Sequence, residues 1–145
     1  MILQVIGAFL GVVGMSIVIG VPKKLIIYSG FVGAFGWWVY LMMEVQYPKL
    51  IILQAFTATM VVSLISHICA RLLKAPGTIF LIPGIMPMVP GAGMYRTAYY
   101  AFKGNSTVAS YHLSQTVQIA GAIALAIFIM DSIFRIIQLK KQWNR

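Results

Sequence analysis

Acidic residues are almost missing from this chain. Glu44 and Asp131 are the only two, against eleven lysines and arginines, and His67 and His112 are the only histidines. So few titratable groups, so far apart in sequence, do not suggest an acid–base pair for catalysis. No His-Glu-x-x-His, Gly-x-Ser-x-Gly or phosphate-loop pattern occurs, so the common hydrolase and nucleotide-binding signatures are excluded and an enzyme is not expected. The single cysteine, Cys69, excludes an intrachain disulfide. With His67 and Arg71 as its polar neighbours it does not form a metal set, and neither a metal nor a cofactor is expected. No basic region precedes the first apolar run and no small-residue cleavage pattern follows it, which argues against a signal peptide.

Charge of any kind is scarce at 9%, while 61% of residues are hydrophobic and mean hydropathy is +0.92. A soluble domain of this length could not bury so much apolar surface, and the runs approach the roughly 20 residues that cross a bilayer. The expected fold is all-α and integral to the membrane. The net charge of +9 raises nucleic acid as a partner. The basic residues, however, sit in short clusters between apolar runs and make no continuous basic face, so nucleic-acid binding is rejected.

Five segments are expected, at about 2–21, 25–43, 50–70, 76–102 and 113–134, forming one domain with a basic tail over 135–145. Pro22-Lys23-Lys24 ends the first, and Lys103-Gly104-Asn105-Ser106-Thr107 is a polar turn before the last. With the N-terminus outside, one face of the membrane holds Lys23, Lys24, Arg71, Lys74, Arg135, Lys140, Lys141 and Arg145. The other holds only Lys49 and Lys103. The positive-inside rule makes the richer side cytoplasmic, so the tail ends in the cytoplasm. Trp37, Trp38, Tyr40 and Tyr47, and later Tyr99, Tyr100 and Tyr111, fit aromatic belts at the outer interface. A re-entrant fourth segment would move the tail to the other side; the full crossing is preferred.

Small residues mark packing faces. Gly7 and Gly11 lie one turn apart, Gly30, Gly33 and Gly36 recur at threes, and Ala55, Thr59, Ser63 and His67 recur at fours. Such spacing lets helix backbones approach closely in lipid, either within the chain or against a partner.

The fourth segment carries the functional information. Pro83, Pro87 and Pro90, with Gly84 and Gly91, interrupt an apolar run. Each proline removes a donor and presses on the carbonyl four residues back, so no unbroken helix passes through. In a membrane such breaks survive where protein or a cavity satisfies the freed groups, as in many transporter sites. Fifteen residues separate Lys74 from Pro90, and twelve run from Gly91 to Phe102. These are lengths of about 22 and 18 Å if helical, which puts the break near the middle of a core of about 30 Å. Pro90 and Gly91 would open a half-helix whose unpaired N–H groups form an anion site. Gly93 lies within its first turn. Arg96, a turn and a half along, either meets a carboxylate there or snorkels to the outer headgroups. Gln115 and Gln118 share a face of the last segment, where they line the cavity or bond neighbouring helices. The candidate substrate residues are therefore Pro90, Gly91, Gly93, Arg96 and Gln118. Asp131, one turn before Arg135, reads as a local salt bridge, with proton relay the lesser alternative because it lies near the cytoplasmic edge and not mid-membrane. His67 reads as polar packing and His112 as a loop edge. Asn105-Ser106-Thr107 is read as a chance match to a glycosylation acceptor.

The run Ile82-Pro83-Gly84-Ile85-Met86-Pro87-Met88-Val89-Pro90-Gly91, followed by Tyr95-Arg96 and a Gly-Asn loop, resembles the bacterial threonine/serine exporter family. The likeness is to its short second half, the small subunit of a two-component exporter, and covers most of the chain. It implies a bacterial inner-membrane protein working with a larger five-helix subunit. The implied cargo is threonine and serine or, as in some pairs of that family, succinate. A half that starts outside and ends inside complements one of opposite orientation, giving an inverted repeat with the site between them. Two other readings stay open: a homo-oligomeric channel, which would show flux without coupling, and a non-transporting assembly subunit.

Overall fold

A computed structural model describes the backbone of residues 1–143 and side chains through residue 137; Asn144 and Arg145 lie outside the described residues, as do the side chains of Lys140 and Lys141 in the basic tail. The described chain is α-helical throughout. Its helices are α1 (Ile2–Val18), α2 (Lys23–Gln46), α3 (Ile51–Leu72), α4 (Thr78–Ile85), α5 (Gly91–Phe102) and α6 (Ser106–Trp143), with a 3-10 turn over Met86–Met88.

Local chemistry stops α1, α3 and α5. At the end of α1, Gly20 takes φ +79°. Its N–H donates to Ile17 O, and the Val21 N–H donates to Ser16 O, which closes a Schellman motif. The end of α5 repeats this with Gly104 at φ +74°, and the end of α3 with Lys74 at φ +50° in place of glycine. Pro76 then bars the helix from resuming at once. The turn expected over Lys103–Thr107 is shorter than that: the Asn105 side chain accepts from Val108 N–H at 3.3 Å and starts α6 at Ser106. His112 is consequently a helix residue, its ring 5.6 Å from that of Tyr100, and not the loop edge expected.

Helices α2 and α3 form the centre. α1 packs on α2, α6 flanks α3, and α4 with the 3-10 turn lies over α1, α2 and α3. Small residues make these approaches possible. A Cβ on Gly30 would meet Phe9 and Val13, one on Gly33 would meet Val12, and one on Gly36 would meet Val62 and Met88. Around Gly84, Val62 and Val32 stand at 3.1 and 3.2 Å from the Cβ position. Gly7 and Gly11, by contrast, have nothing within 4 Å, so that part of the expected packing face is open. The core is Val12, Val32, Ala58, Val62, Phe80 and Met88. Fully buried Gln54 donates to Tyr47 O at 2.7 Å and ties the α2–α3 connection to α3.

Among the described residues three helices are long and apolar enough to cross a membrane: α2, α3 and the Ser106–Ile137 part of α6. α4 and α5 together make a fourth if the bent pair is one span. At 17 residues, α1 is shorter than the expected 2–21 segment because the Gly20 turn ends it. It spans about 26 Å, under a core of about 30 Å.

Candidate functional site at the broken helix

Each of the three prolines frees a carbonyl, and each carbonyl finds another donor. Pro83 sits inside α4 and leaves Ile79 O without its usual partner; the Ser29 hydroxyl of α2 lies 3.2 Å from it and shares its one proton between Ile79 O and Leu25 O, also at 3.2 Å. Pro87 deprives Pro83 O, which instead accepts from the Met86 N–H. Pro90 deprives Met86 O, which accepts from the Val89 N–H at 3.2 Å. The break is thus held by one interhelical hydroxyl and two tightened turns, the means by which a membrane tolerates interrupted backbone. Pro83 and Gly84 are buried against the centre, and Met88 lies 3.6 Å from the Thr59 hydroxyl.

Val89 is extended and Pro90 closes a tight turn in which Gly91 N–H donates to Val89 O at 2.7 Å. α5 then leaves at 52° to α4 and the 3-10 turn. Of its first N–H groups, Met94 donates to Pro90 O at 3.1 Å. Ala92 and Gly93 find no backbone acceptor among the described residues. The helix start is therefore a pair of free donors at the positive end of a helix dipole.

No residue of α5 is buried, and α5 packs on α6 alone. Its inner row is Gly93, Thr97 and Tyr100. Gly93 lies so close to Thr116 that a Cβ would strike the threonine hydroxyl, so its position is demanded by helix packing. Arg96 is exposed beside that row, on the flank that also carries Lys103, and makes no ion pair among the described residues. Gln118 is two residues beyond Thr116, on the far side of α6 from α5. It donates to Ser114 Oγ at 3.2 Å and lines a groove of about 670 Å³ with Lys49, Phe56, Tyr111 and Gln115. The structure brings Pro90, Gly91, Gly93 and Arg96 together on one half-helix and sets Gln118 apart. Pro87 faces α1 across a cleft of about 370 Å³ lined by Gly7, Gly11 and Met15.

One pairing was not visible in the sequence. Asp131 does not take Arg135 as its partner; its Oδ1 lies 3.2 Å from His67 Nε2, joining α3 to α6. The His67 ring stacks on Phe134 at 4.4 Å, and the Arg71 guanidinium lies 4.8 Å from the centre of the same ring. Sixty-four positions separate the pair. The available signal was His67 standing on the polar stripe of α3.

Residues 4–133 match the family described as "Threonine/Serine exporter, ThrE", so the chain belongs to the threonine/serine exporter family. No curated protein and no solved structure matches it.

Proposed function

We propose, from membership in a family of transporters, that this chain is not an enzyme but the small subunit of a secondary exporter. It works with a larger five-helix subunit of the same family and moves small carboxylate-bearing metabolites, threonine and serine or a succinate-like dicarboxylate. In this reading α1 is the first of five spans, the N-terminus is outside, the tail is cytoplasmic and the membrane is the bacterial inner membrane. The observation that carries the proposal is α5. A half-helix opening inside the membrane with two free N–H donors, and with an unpaired arginine a turn on, is built to receive an anion. Its lack of burial leaves room for a second subunit to complete the site. The carboxylate meets the amides of Ala92 and Gly93 and the guanidinium of Arg96, while Pro83, Gly84, Pro87, Pro90 and Gly91 hold the bend.

The test is efflux of labelled threonine, serine and succinate from loaded cells carrying this chain, this chain with a large subunit, or neither. Efflux is expected only with both. In that pair Arg96→Gln is expected to lower efflux at least about tenfold, as loss of a charged hydrogen-bonding partner of about 1.5–3 kcal/mol implies, while the two subunits still co-purify. Efflux from this chain alone would point to a homo-oligomeric channel. Undiminished efflux in Arg96→Gln would remove the arginine from the site.

A further inference from the structure

One face of α3 carries a file of polar residues, Thr59, Ser63, Ser66 and His67, from the level of the break towards the basic end of the helix. Thr59 donates to Ala55 O and touches Met88 at the break. Ser63 and Ser66 are buried, and neither hydroxyl has a partner among the described residues. Unsatisfied buried hydroxyls are rare, and water is their usual remedy. Room for it exists beside Ser66: a cavity of about 140 Å³ lined by Ser66, His67, Gly77, Thr78, Leu81 and Asp131. At about 30 Å³ per molecule, that is space for a few waters with several polar partners.

The two nitrogens of His67 face different surroundings. Nε2 is directed at Asp131, while Nδ1 lies 3.9 Å from the Cβ position of Gly77, the residue that caps α4. We propose that the His67–Asp131 pair is a proton-binding site supplied through this cavity. The neutral ring donates Nε2–H to the carboxylate. A proton carried by cavity water adds to the Nδ1 lone pair and leaves an imidazolium–carboxylate pair; its loss returns the proton to the water. The charged groups nearby are Asp131 and Arg135 on α6, Arg71 on α3 and Lys74 in the α3–α4 connection; α4 brings no ionisable side chain. Protonation turns Nδ1 from an acceptor into a charged donor beside the positive end of α4, and so loosens the seat of the helix that carries the break. Histidine is the side chain suited to such a change near neutral pH. The effect on export rests on the transporter reading above; the proton site does not.

The test uses the full chain with ring-15N-labelled histidine in lipid nanodiscs. His112→Asn leaves a single ring to observe. The ring of His67 is expected to pass reversibly between singly and doubly protonated forms as the pH is lowered. In Asp131→Ala the Nε2–H signal is expected to lose the downfield shift that its hydrogen bond to the carboxylate produces. A ring fixed in one form at every pH, or an Nε2–H signal indifferent to Asp131, overturns the site. Efflux by the two-subunit complex is read alongside. A pH dependence of export that disappears in His67→Gln supports the link to α4, and one that persists unchanged overturns it. Absence of efflux at every pH sinks the transporter reading, and the spectra still decide the proton site.

Discussion

Ser29 is a hydroxyl on a glycine-rich helix face, and its worth depends on a proline fifty-four residues away. Its bond to Ile79 O exists because Pro83 has no N–H to give. Ser29→Ala is therefore expected to destabilise the fold by about 1–2 kcal/mol, the cost of a buried carbonyl left unpaired. If that account is right, Ser29→Ala costs markedly less in a Pro83→Ala background, where the backbone N–H can return to Ile79. Thermal unfolding in detergent of the two single variants and the double measures the coupling. Strict additivity would mean that Ser29 acts only by packing.

At the scale of the element, the bend depends on Pro90 and on the extended Val89 before it. Both keep the 3-10 turn from joining α5. Pro90→Ala restores a donor and removes the restriction on Val89. The two halves are then expected to straighten, so that spin labels at exposed Ile82 and Tyr99 move apart by a few Å. Efflux from the two-subunit complex should fall with it, because continuous helix would consume the free donors of Ala92 and Gly93. An unchanged label distance would show that packing of Gly84 against Val62 and Val32, and of Gly93 against Thr116, sets the angle without the proline. The break itself was legible in the sequence because proline acts on its own neighbours. The start of α6 was not: residues 106–112 are too polar to read as part of a span, and it takes the Asn105 cap and the packing of His112 on Tyr100 to make them helix.

For the whole molecule, the distribution of charge and the order of the helices make one prediction. If α1 crosses and α4 with α5 counts as one crossing, a reporter fused at the C-terminus lies in the cytoplasm. A cysteine placed at Lys103, in a Cys69→Ala chain, reacts with a membrane-impermeant reagent added from outside. A tail found outside the cell combined with a protected residue 103 would instead make the bent pair a re-entrant loop, with residues 74 and 103 on the same side of the membrane. The fold supports either test. α5 and α6 run in opposite directions, with Gly93 against Thr116 and Tyr100 against His112, so the α5–α6 connection lies on the side that α5 approaches.

Composition by itself determined the membrane class, since apolar content sets the solvent in which the chain can exist. The spacing of prolines determined that one segment is interrupted near its middle, since φ and the missing donor are properties of the residue. The turn at Gly20 did not follow in this way: the expected helix runs to residue 21, and only the fold shows this glycine at positive φ. Which groups repair the break, and which side chains meet, was decided by tertiary structure. Pro83 announces a free carbonyl but not that Ser29 fills it. Gln118 has the polarity of a site residue, yet the rotation of α6 turns it away from Arg96. Asp131 has a cation four residues on and takes His67 across the helix interface instead. These pairings follow from helix rotation and depth, which are set by close approach at Gly30, Gly33, Gly36, Gly84 and Gly93. Only the assembled helices show what each glycine faces.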